Sequence, residues 1–534
     1  MSFRSATVFF LLIIICFIGA ALRLYRLSEN PPGATLDEIS IGYNAFTIRT
    51  AGIDQDGNRL PLGHFRSLAD YKLPLQIYLV ALSQMKFGNS ILAIRLPAAL
   101  FGTLTIPLVF FLSQVIFQQL NMNTKKVQLL SLFSTFLFAI SPWHSFHSRL
   151  GLETNIGLFF ALATILFLFL SLKKSKNLLI AALFLILTAY TYHAYWIFLP
   201  LLIFVFFIFH RSYFSLNRRI VLFAMVMIII GLTPLLIEKN QGSTVRFNQS
   251  FLSSENIMKL TDNAQHTCRL RALCTNATVA IELLNHVLGQ YLSAFSLITW
   301  YGPSKFDIVD VVPFRGLFYY LELPLFLIGI TLLVKIKNKT SLFLFSWLMI
   351  YPLPLAITNN FTAARMYQLL PLPQIIEALG FFIITKKQRY LGVLLIFLLL
   401  FSTARFAADF WFLYPLRYSR HIDYGMIAIQ QHVDKEPKNV WYIEEPLFHR
   451  LHLFYFYKVL PRYIQPPEWS IRGRTTTQYK NIILVERGYL PPETSNTRLI
   501  SFPEDIPKYY EKIGIIQLKD GSTYAYVSAP KGRP

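Results

Sequence analysis

The sequence predicts a polytopic α-helical membrane protein with a small C-terminal α/β domain, and three observations carry that prediction. Of 534 residues, 54% are hydrophobic and only 15% are charged, and the mean hydropathy is +0.46. Water-soluble domains carry about 25% charged residues. The apolar residues fall in runs near the length that crosses a hydrocarbon core. Short basic loops separate alternate runs, and the composition turns polar near residue 412.

About eleven runs qualify as transmembrane helices: 6–22, 92–117, 127–141, 155–171, 177–192, 195–209, 219–237, 314–334, 340–357, 366–384 and 389–409. The first has one early Arg4 and no small-x-small cleavage site before a polar start, so it reads as an uncleaved helix rather than a signal peptide. Basic groups follow every second run: Lys125 and Lys126; Lys173, Lys174 and Lys176; Arg211, Arg218 and Arg219; Lys335, Lys337 and Lys339; Lys386, Lys387 and Arg389. These loops contain no acid. Eleven spans put all five groups on one side, which the positive-inside bias makes cytoplasmic. The expected topology is multi-pass in the plasma (inner) membrane, with the N-terminus cytoplasmic and the C-terminal domain extracytoplasmic. The same placement accounts for part of the formal charge of +22 without a nucleic-acid partner.

Two domains follow. Residues 1–411 form the transmembrane domain, with a long first outer loop (23–91) and another outer loop (238–313). Within the first loop, Leu73 to Phe87 reads as a helix lying at the interface. Residues 412–534 form the α/β domain: Val440–Ile443, Asn481–Val485, Ile513–Leu518 and Tyr524–Val527 read as strands, 422–433 as a helix, and Asp520-Gly521 as a hairpin turn. Cys16 reads as a packed thiol, whereas Cys268 and Cys274 either pair outside the cytoplasm or stay free. Asn276-Ala-Thr278 fits the glycosylation sequon.

Five constellations carry candidate chemistry, all on the outer side of that topology. Asp37 and Glu38 follow the chain-breaking Pro31, Pro32 and Gly33. A carboxylate there suits a general base, and the competing reading is that Asp37 caps a helix over Ile39 to Thr50. Asp70-Tyr71-Lys72 opens the interfacial helix, where Lys72 either pairs with a lipid phosphate or snorkels as an anchor. His144, His147, Ser148, Arg149 and Glu153 crowd a membrane-edge turn, an expensive placement unless they meet a phosphate, a metal or one another. A zinc pair from His144 and His147 lacks further ligands in the pattern. Tyr192 and His193 stand in an aromatic belt segment level with these loops. Arg365, in Asn359-Asn360-Phe-Thr-Ala-Ala-Arg365, suits a phosphate or an interfacial anchor. No P-loop and no dinucleotide fingerprint is present. The energy of any transfer must therefore come with the donor.

Taken together, the Asp37-Glu38 pair, the Tyr71-Lys72-Leu-Pro-Leu stretch, Arg95-Leu-Pro-Ala-Ala-Leu-Phe-Gly and Ser141-Pro-Trp-His resemble the GT-C glycosyltransferases. The nearest branch holds the protein O-mannosyltransferases and lipid A aminoarabinose transferases. The resemblance covers residues 1–385 and implies an inverting transfer of a hexosyl or pentosyl group from a polyprenyl-phosphate sugar. Its acceptor is an envelope protein, lipid or glycan. By position it makes Asp37 the catalytic carboxylate, with Glu38 beside it. Lys72 becomes the donor-phosphate contact, with Arg365 and Arg149 as further phosphate candidates. Asp70, Tyr71, His144, His147, His193 and Tyr192 become substrate-pocket candidates. The aminoarabinose branch carries a metal-holding acid directly before the lysine. Here Tyr71 occupies that position and Asp70 lies one earlier, which leaves a divalent metal an open question. Two rival readings remain: a transporter or flippase of lipid-linked saccharides, for which Glu322 and Glu377 are the acids within late spans, and a structural subunit of an envelope assembly.

Overall fold

The computed structural model describes residues 3–67, 70–237, 276–303, 312, 315–358, 362–421, 423–444, 449–458, 460, 477–487 and 489–531. Cys268 and Cys274 lie outside the described residues. Along the chain run helices α1 (Phe3–Leu24), α2 (Leu36–Ala51), α3 (Pro74–Phe87), α4 (Ile91–Gln119), α5 (Thr124–Ile140), α6 (Pro142–His147) and α7 (Thr154–Ser171). Then come α8 (Asn177–Ala189), α9 (Tyr195–Phe209), α10 (Arg211–Leu216), α11 (Arg218–Ile237), α12 (Asn276–Ser293), α13 (Leu297–Tyr301), α14 (Glu322–Lys335), α15 (Lys339–Ile350) and α16 (Leu353–Ala356). The last are α17 (Leu372–Lys387), α18 (Arg389–Ala408), α19 (Tyr414–Tyr418), α20 (Tyr424–Val433) and α21 (Arg450–Phe456). The strands are β1 (Phe65–Ser67), β2 (Asp70–Lys72), β3 (Val440–Glu444), β4 (Thr477–Tyr479), β5 (Ile482–Val485), β6 (Thr497–Ser501), β7 (Tyr510–Gln517) and β8 (Thr523–Pro530).

The chain forms two compact units. One takes Met1–Tyr25, Leu62–Gln76 and Ala98–Phe406; the other takes Arg26–Pro61, Ile77–Pro97 and Ala407–Pro534. Among the described residues five helices are long and apolar enough to cross a membrane, or six if one bent pair counts as a span. The remaining expected spans are helical but shorter, because the chain breaks them. The run 340–357 divides at Tyr351-Pro352 into α15 and α16. The run 366–384 divides at Pro371, which has no N–H to continue a ladder, into a 3₁₀ turn (Ala363–Leu369) and α17, bent by 54°. The expected loop 238–313 contains helices α12 and α13.

The first unit is a helical bundle. Its helix α7 has no polar face and is enclosed by neighbours, whereas α1 and α11 leave most of their apolar surface exposed, as lipid-facing helices do. Helices α14 and α17 meet at backbone contact. A Cβ added to Gly329 would fall 1.9 Å from the Ile376 carbonyl oxygen, and one on Gly380 would fall 2.0 Å from that of Leu325. Small residues allow such approaches between helices in lipid.

The second unit is α/β. Its six-stranded sheet has the order β4-β5-β3-β6-β8-β7. The central strands β5, β3 and β6 are parallel, and the outer pairings are antiparallel. Trp441, Ile443, Leu484, Leu499 and Ile500 fill its core. Between β7 and β8 the expected turn forms, with Leu518 N–H donating to Ser522 O at 2.9 Å. Helix α2 also belongs here, buried along most of its length. It begins at Leu36, and Thr35, not Asp37, is its cap. The Thr35 side chain accepts from Glu38 N–H at 3.3 Å, and Glu38 accepts from Thr35 N–H at 3.0 Å. This reciprocal box leaves Asp37 outside the capping role.

Candidate functional site

In the second unit the acidic pair divides into two different environments. Asp37 is half-buried, while Glu38 is fully enclosed. Besides the cap, Glu38 receives Arg95: Nε at 2.8 Å on one oxygen and Nη2 at 3.2 Å on the other. Arg95 also donates to Leu27 O at 3.3 Å, to Pro31 O at 2.8 Å and to Gly33 O. A guanidinium offers five donors in a fixed fork, and here that fork binds the Pro31–Gly33 turn to the start of α2. Asn30 Nδ2 donates to Phe410 O at 2.7 Å, so residues far along the chain brace the same turn. Asp423 also faces this region. It caps α20 without a side-chain bond, at φ 47°, and burial followed by the charge of Glu38 pushes its carboxyl up to about 6.

In the first unit a two-stranded hairpin carries Lys72. Strands β1 and β2 pair with Phe65 opposite Lys72. The buried Lys72 ammonium lies 3.5 Å from Glu153. Gln76 donates to Gly151 O at 3.0 Å, and Leu75 N–H to Tyr190 O at 3.2 Å, seating the segment against the α6–α7 and α8–α9 connections. His64 stacks on His193 at 6.0 Å and meets Trp196 edge-on at 6.5 Å. Asp70 and Tyr71 are half-buried, and Asp70 accepts from Tyr71 N–H at 2.7 Å.

The membrane-edge turn after α5 is a buried polar network. Arg23, a residue with no role in the sequence reading, directs Nη2 and Nε at His144 Nδ1 at 2.7 and 3.2 Å. An arginine has no acceptor. His144 Nδ1 therefore accepts, and the ring proton sits on Nε2. Burial, then the Arg23 charge, then His147 hold this histidine well below its ordinary range, so it is neutral. Its Nδ1 lone pair is occupied, and among the described residues no group of three or more His, Cys, Asp or Glu is arranged for a metal. Arg149 is fully buried and donates to Leu22 O at 3.1 Å and Tyr25 O at 2.8 Å, bracing the end of α1. Ser148 donates to Asn155 at 3.2 Å, and a Cβ on the neighbouring Gly102 would fall 2.4 Å from its hydroxyl. Tyr367 joins this network from the 3₁₀ turn. Its ring faces His144 at 5.8 Å, Trp143 at 5.3 Å and His147 at 5.2 Å. The half-buried Arg365 is two residues earlier on the same turn, and Tyr192 OH reaches Ala364 O at 3.5 Å.

The structure thus gathers Lys72, His144, His147, Arg149, Tyr192, His193 and Arg365 in the first unit, and Asp37 and Glu38 in the second. Beside the first group, α8, α9 and α11 line an open apolar groove of about 880 Å³ that includes Ala189, Tyr195 and Trp196 at one end and Phe207 further along α9. A second cavity of about 300 Å³ shares Leu185, Ile203, Phe207 and Ile228 with it. Glu322 and Glu377 are buried in the bundle: Tyr301 OH donates to Glu377 at 2.8 Å, and Tyr319 N–H to Glu322 at 3.1 Å. Arg23 and Asn155 were missed by sequence reasoning; the only signal was a lone charge at the end of an apolar run.

This architecture, a polytopic helical bundle with a smaller α/β unit, is shared with a solved GT-C membrane protein. The likeness is to ArnT from Cupriavidus metallidurans in the apo state: 10% identity, 98% of each chain covered and a TM-score of 0.52. The same ArnT bound to undecaprenyl phosphate gives 11% identity, coverage of 71% and 60%, and a TM-score of 0.42. The oligosaccharyltransferase AglB from Archaeoglobus fulgidus, in complex with an inhibitory peptide and a dolichol-phosphate, gives 13% identity and a TM-score of 0.48. That match covers 90% of this chain, which spans 62% of the length of AglB. Only the first comparison exceeds a TM-score of 0.5, and at that identity it defines the fold alone. No family model and no curated protein sequence matches the chain.

Proposed function

We propose that this protein is an integral-membrane glycosyltransferase that moves a sugar from a polyprenyl-phosphate donor to an envelope protein, lipid or glycan on the extracytoplasmic face. The observation that carries the reading is an open apolar groove among membrane helices whose Trp196 is in ring contact with His64 and His193, His64 leading into the hairpin that carries the buried Lys72. A long isoprenoid tail suits the groove and a phosphate suits the lysine. ArnT, whose fold the chain shares, is known with undecaprenyl phosphate bound, which supports a donor lipid of that class.

In this reading Lys72 and Arg365 hold the donor phosphate, and Asp37 is the base. The acceptor oxygen or nitrogen attacks the anomeric carbon, the bond from that carbon to the phosphate oxygen breaks, and the acceptor proton passes to Asp37. A single displacement inverts the anomeric centre. Lys72 offsets the charge gained by the leaving polyprenyl phosphate. Glu38 serves as the anchor of Asp37, because both of its oxygens are already bound by Arg95 and the cap. Arg149 braces α1, His144 and His147 are buried in the network behind the donor side, and Tyr192 and His193 face it. The N-terminus is cytoplasmic and residues 412–534 are extracytoplasmic.

The test is turnover by purified protein in proteoliposomes with a labelled polyprenyl-phosphate sugar, scoring glycosylated product and lipid translocation separately. Asp37→Asn should lose at least about 100-fold in rate while inserting normally. Translocation without product, or wild-type turnover by Asp37→Asn, overturns the assignment.

A further inference from the structure

Arg365 sits on a 3₁₀ turn, a short element with poor intrinsic hydrogen-bond geometry, so something outside the turn must fix it. The surrounding contacts identify what does. Tyr367 is fully buried and its hydroxyl donates to Asn155 Oδ1 at 2.7 Å, across to the first turn of α7. Its ring lies nearly parallel to the His144 imidazole, at an interplanar angle of 14°, with Trp143 perpendicular to it at 90°.

The imidazole cannot turn away, because Arg23 holds its Nδ1. Arg23 in turn is fixed by Gly19 O and Ala139 O, each at 2.8 Å. Gln368 Nε2 then closes the turn, donating to Arg365 O at 2.7 Å and to Tyr351 O at 2.8 Å. The charged and titratable groups that face Tyr367 across this packing include Arg23, His144, His147 and Tyr195.

We propose that Tyr367, with Asn155 as its acceptor, is the positioning residue that sets the Arg365 guanidinium for the donor phosphate. This rests on the donor-lipid reading above. Tyr367 does not touch the ligand in this scheme. It ties the turn to the Arg23–His144 network, beside the bonds that Gln368 makes. The phenol hydroxyl ties the turn to α7, as Gln368 and Trp347 tie it to α15 and its C-terminal end, and its removal leaves the buried ring packing in place.

The experiment measures binding of undecaprenyl phosphate, with undecaprenol as the uncharged control, to full-length protein in detergent. Wild type, Tyr367→Phe, Asn155→Leu, Arg365→Met and the Tyr367→Phe/Arg365→Met double variant are compared, each with its melting temperature. Loss of one hydrogen bond predicts about a 5- to 10-fold weaker Kd for the phosphate in Tyr367→Phe, with undecaprenol binding unchanged. Asn155→Leu should reproduce that loss. The double variant should bind no worse than Arg365→Met alone, because no guanidinium is left to position. Independent, multiplying losses in the double variant, or equal weakening toward undecaprenol, overturn the positioning role while leaving the donor reading intact. An Arg365→Met protein that binds the phosphate as wild type overturns both this inference and the phosphate role of Arg365. Wild type that fails to prefer the phosphate over the alcohol refutes the donor reading itself.

Discussion

Replacing Arg95 with methionine is the perturbation whose cost is clearest from the structure. Both Arg95 and Glu38 are completely enclosed, and the pair is closed at 2.8 Å. Methionine fills much of the stem volume, so the cavity contribution is small. The electrostatic loss is large: a buried carboxylate is left with no cation beside it, which costs about 3–5 kcal/mol. The carbonyls of Leu27, Pro31 and Gly33 lose their donor at the same time. Each enclosed carbonyl left without a partner adds about 1 kcal/mol or more, though water admitted to the turn recovers part of it. A total of roughly 4–6 kcal/mol follows. Arg95→Lys should recover only part, since a point ammonium cannot span both carboxylate oxygens and three carbonyls. Arg95→Met/Glu38→Leu should cost less than the sum of its single changes by at least about 2 kcal/mol, because neither charge is then stranded. The assay is thermal melting in detergent, paired with limited proteolysis of the 26–61 segment as a local readout. An Arg95→Met protein that melts and resists protease like wild type, or strict additivity in the double variant, would refute the reasoning.

Three further outcomes are expected. Gly380→Ala forces a methyl into the Leu325 carbonyl and should cost at least about 2–3 kcal/mol, seen as a lower melting temperature or loss of monodisperse protein; an unaffected variant would disprove the contact. Asp423 is held above its unfolded value, so its contribution to stability declines as pH rises from about 4 to about 6 and stays reduced above that. Asp423→Asn, which tolerates the same backbone, should therefore stabilise by ~1 kcal/mol at pH 7.5 after allowance for solvent screening, and by nothing at pH 4. His452 shows the opposite sign. Burial, then His449, push it down to about 3, so the folded state loses stability as pH falls from about 6.5 toward 3, at up to about 1.4 kcal/mol per pH unit. His452→Gln should flatten that acid limb in melting curves taken from pH 7 to pH 4.

Much of this architecture was legible because hydropathy is a local property. The ends of α4, α7, α9 and α11 fall within a few residues of the apolar runs that announced them. The β7–β8 hairpin followed from an Asp-Gly turn between alternating strands. Other features were hidden for physical reasons. Strand β4 is only three residues long, and β6, Thr497–Ser501, has just two apolar residues between Arg498 and Ser501. Helix α12 presents Ile281, Leu284, Leu288 and Leu292 at helical spacing, a signal masked by its polar surroundings. The spacing Thr35-x-x-Glu38 is a capping box that the sequence itself displays. The link from Arg23 to His144 spans 121 positions, and no local pattern announces a bond of that separation. Sequence alone therefore located the chemistry-bearing turns while leaving unread the side chains that hold them still.

The composition of the second unit carries a consequence for biogenesis. Its pieces Arg26–Pro61 and Ile77–Pro97 leave the ribosome early, yet their partners begin at Ala407, after the entire stretch 98–406 has been made. Synthesis proceeds at about 5–20 residues per second, so the segment bearing Asp37 waits many seconds before the strands that complete its fold exist. Release of a chain truncated within its last hundred or so residues would leave the early segments exposed to proteases and chaperones rather than active. Competence is thereby coupled to the synthesis of residues 407–534, and nonsense mutations within them should behave as complete losses of function.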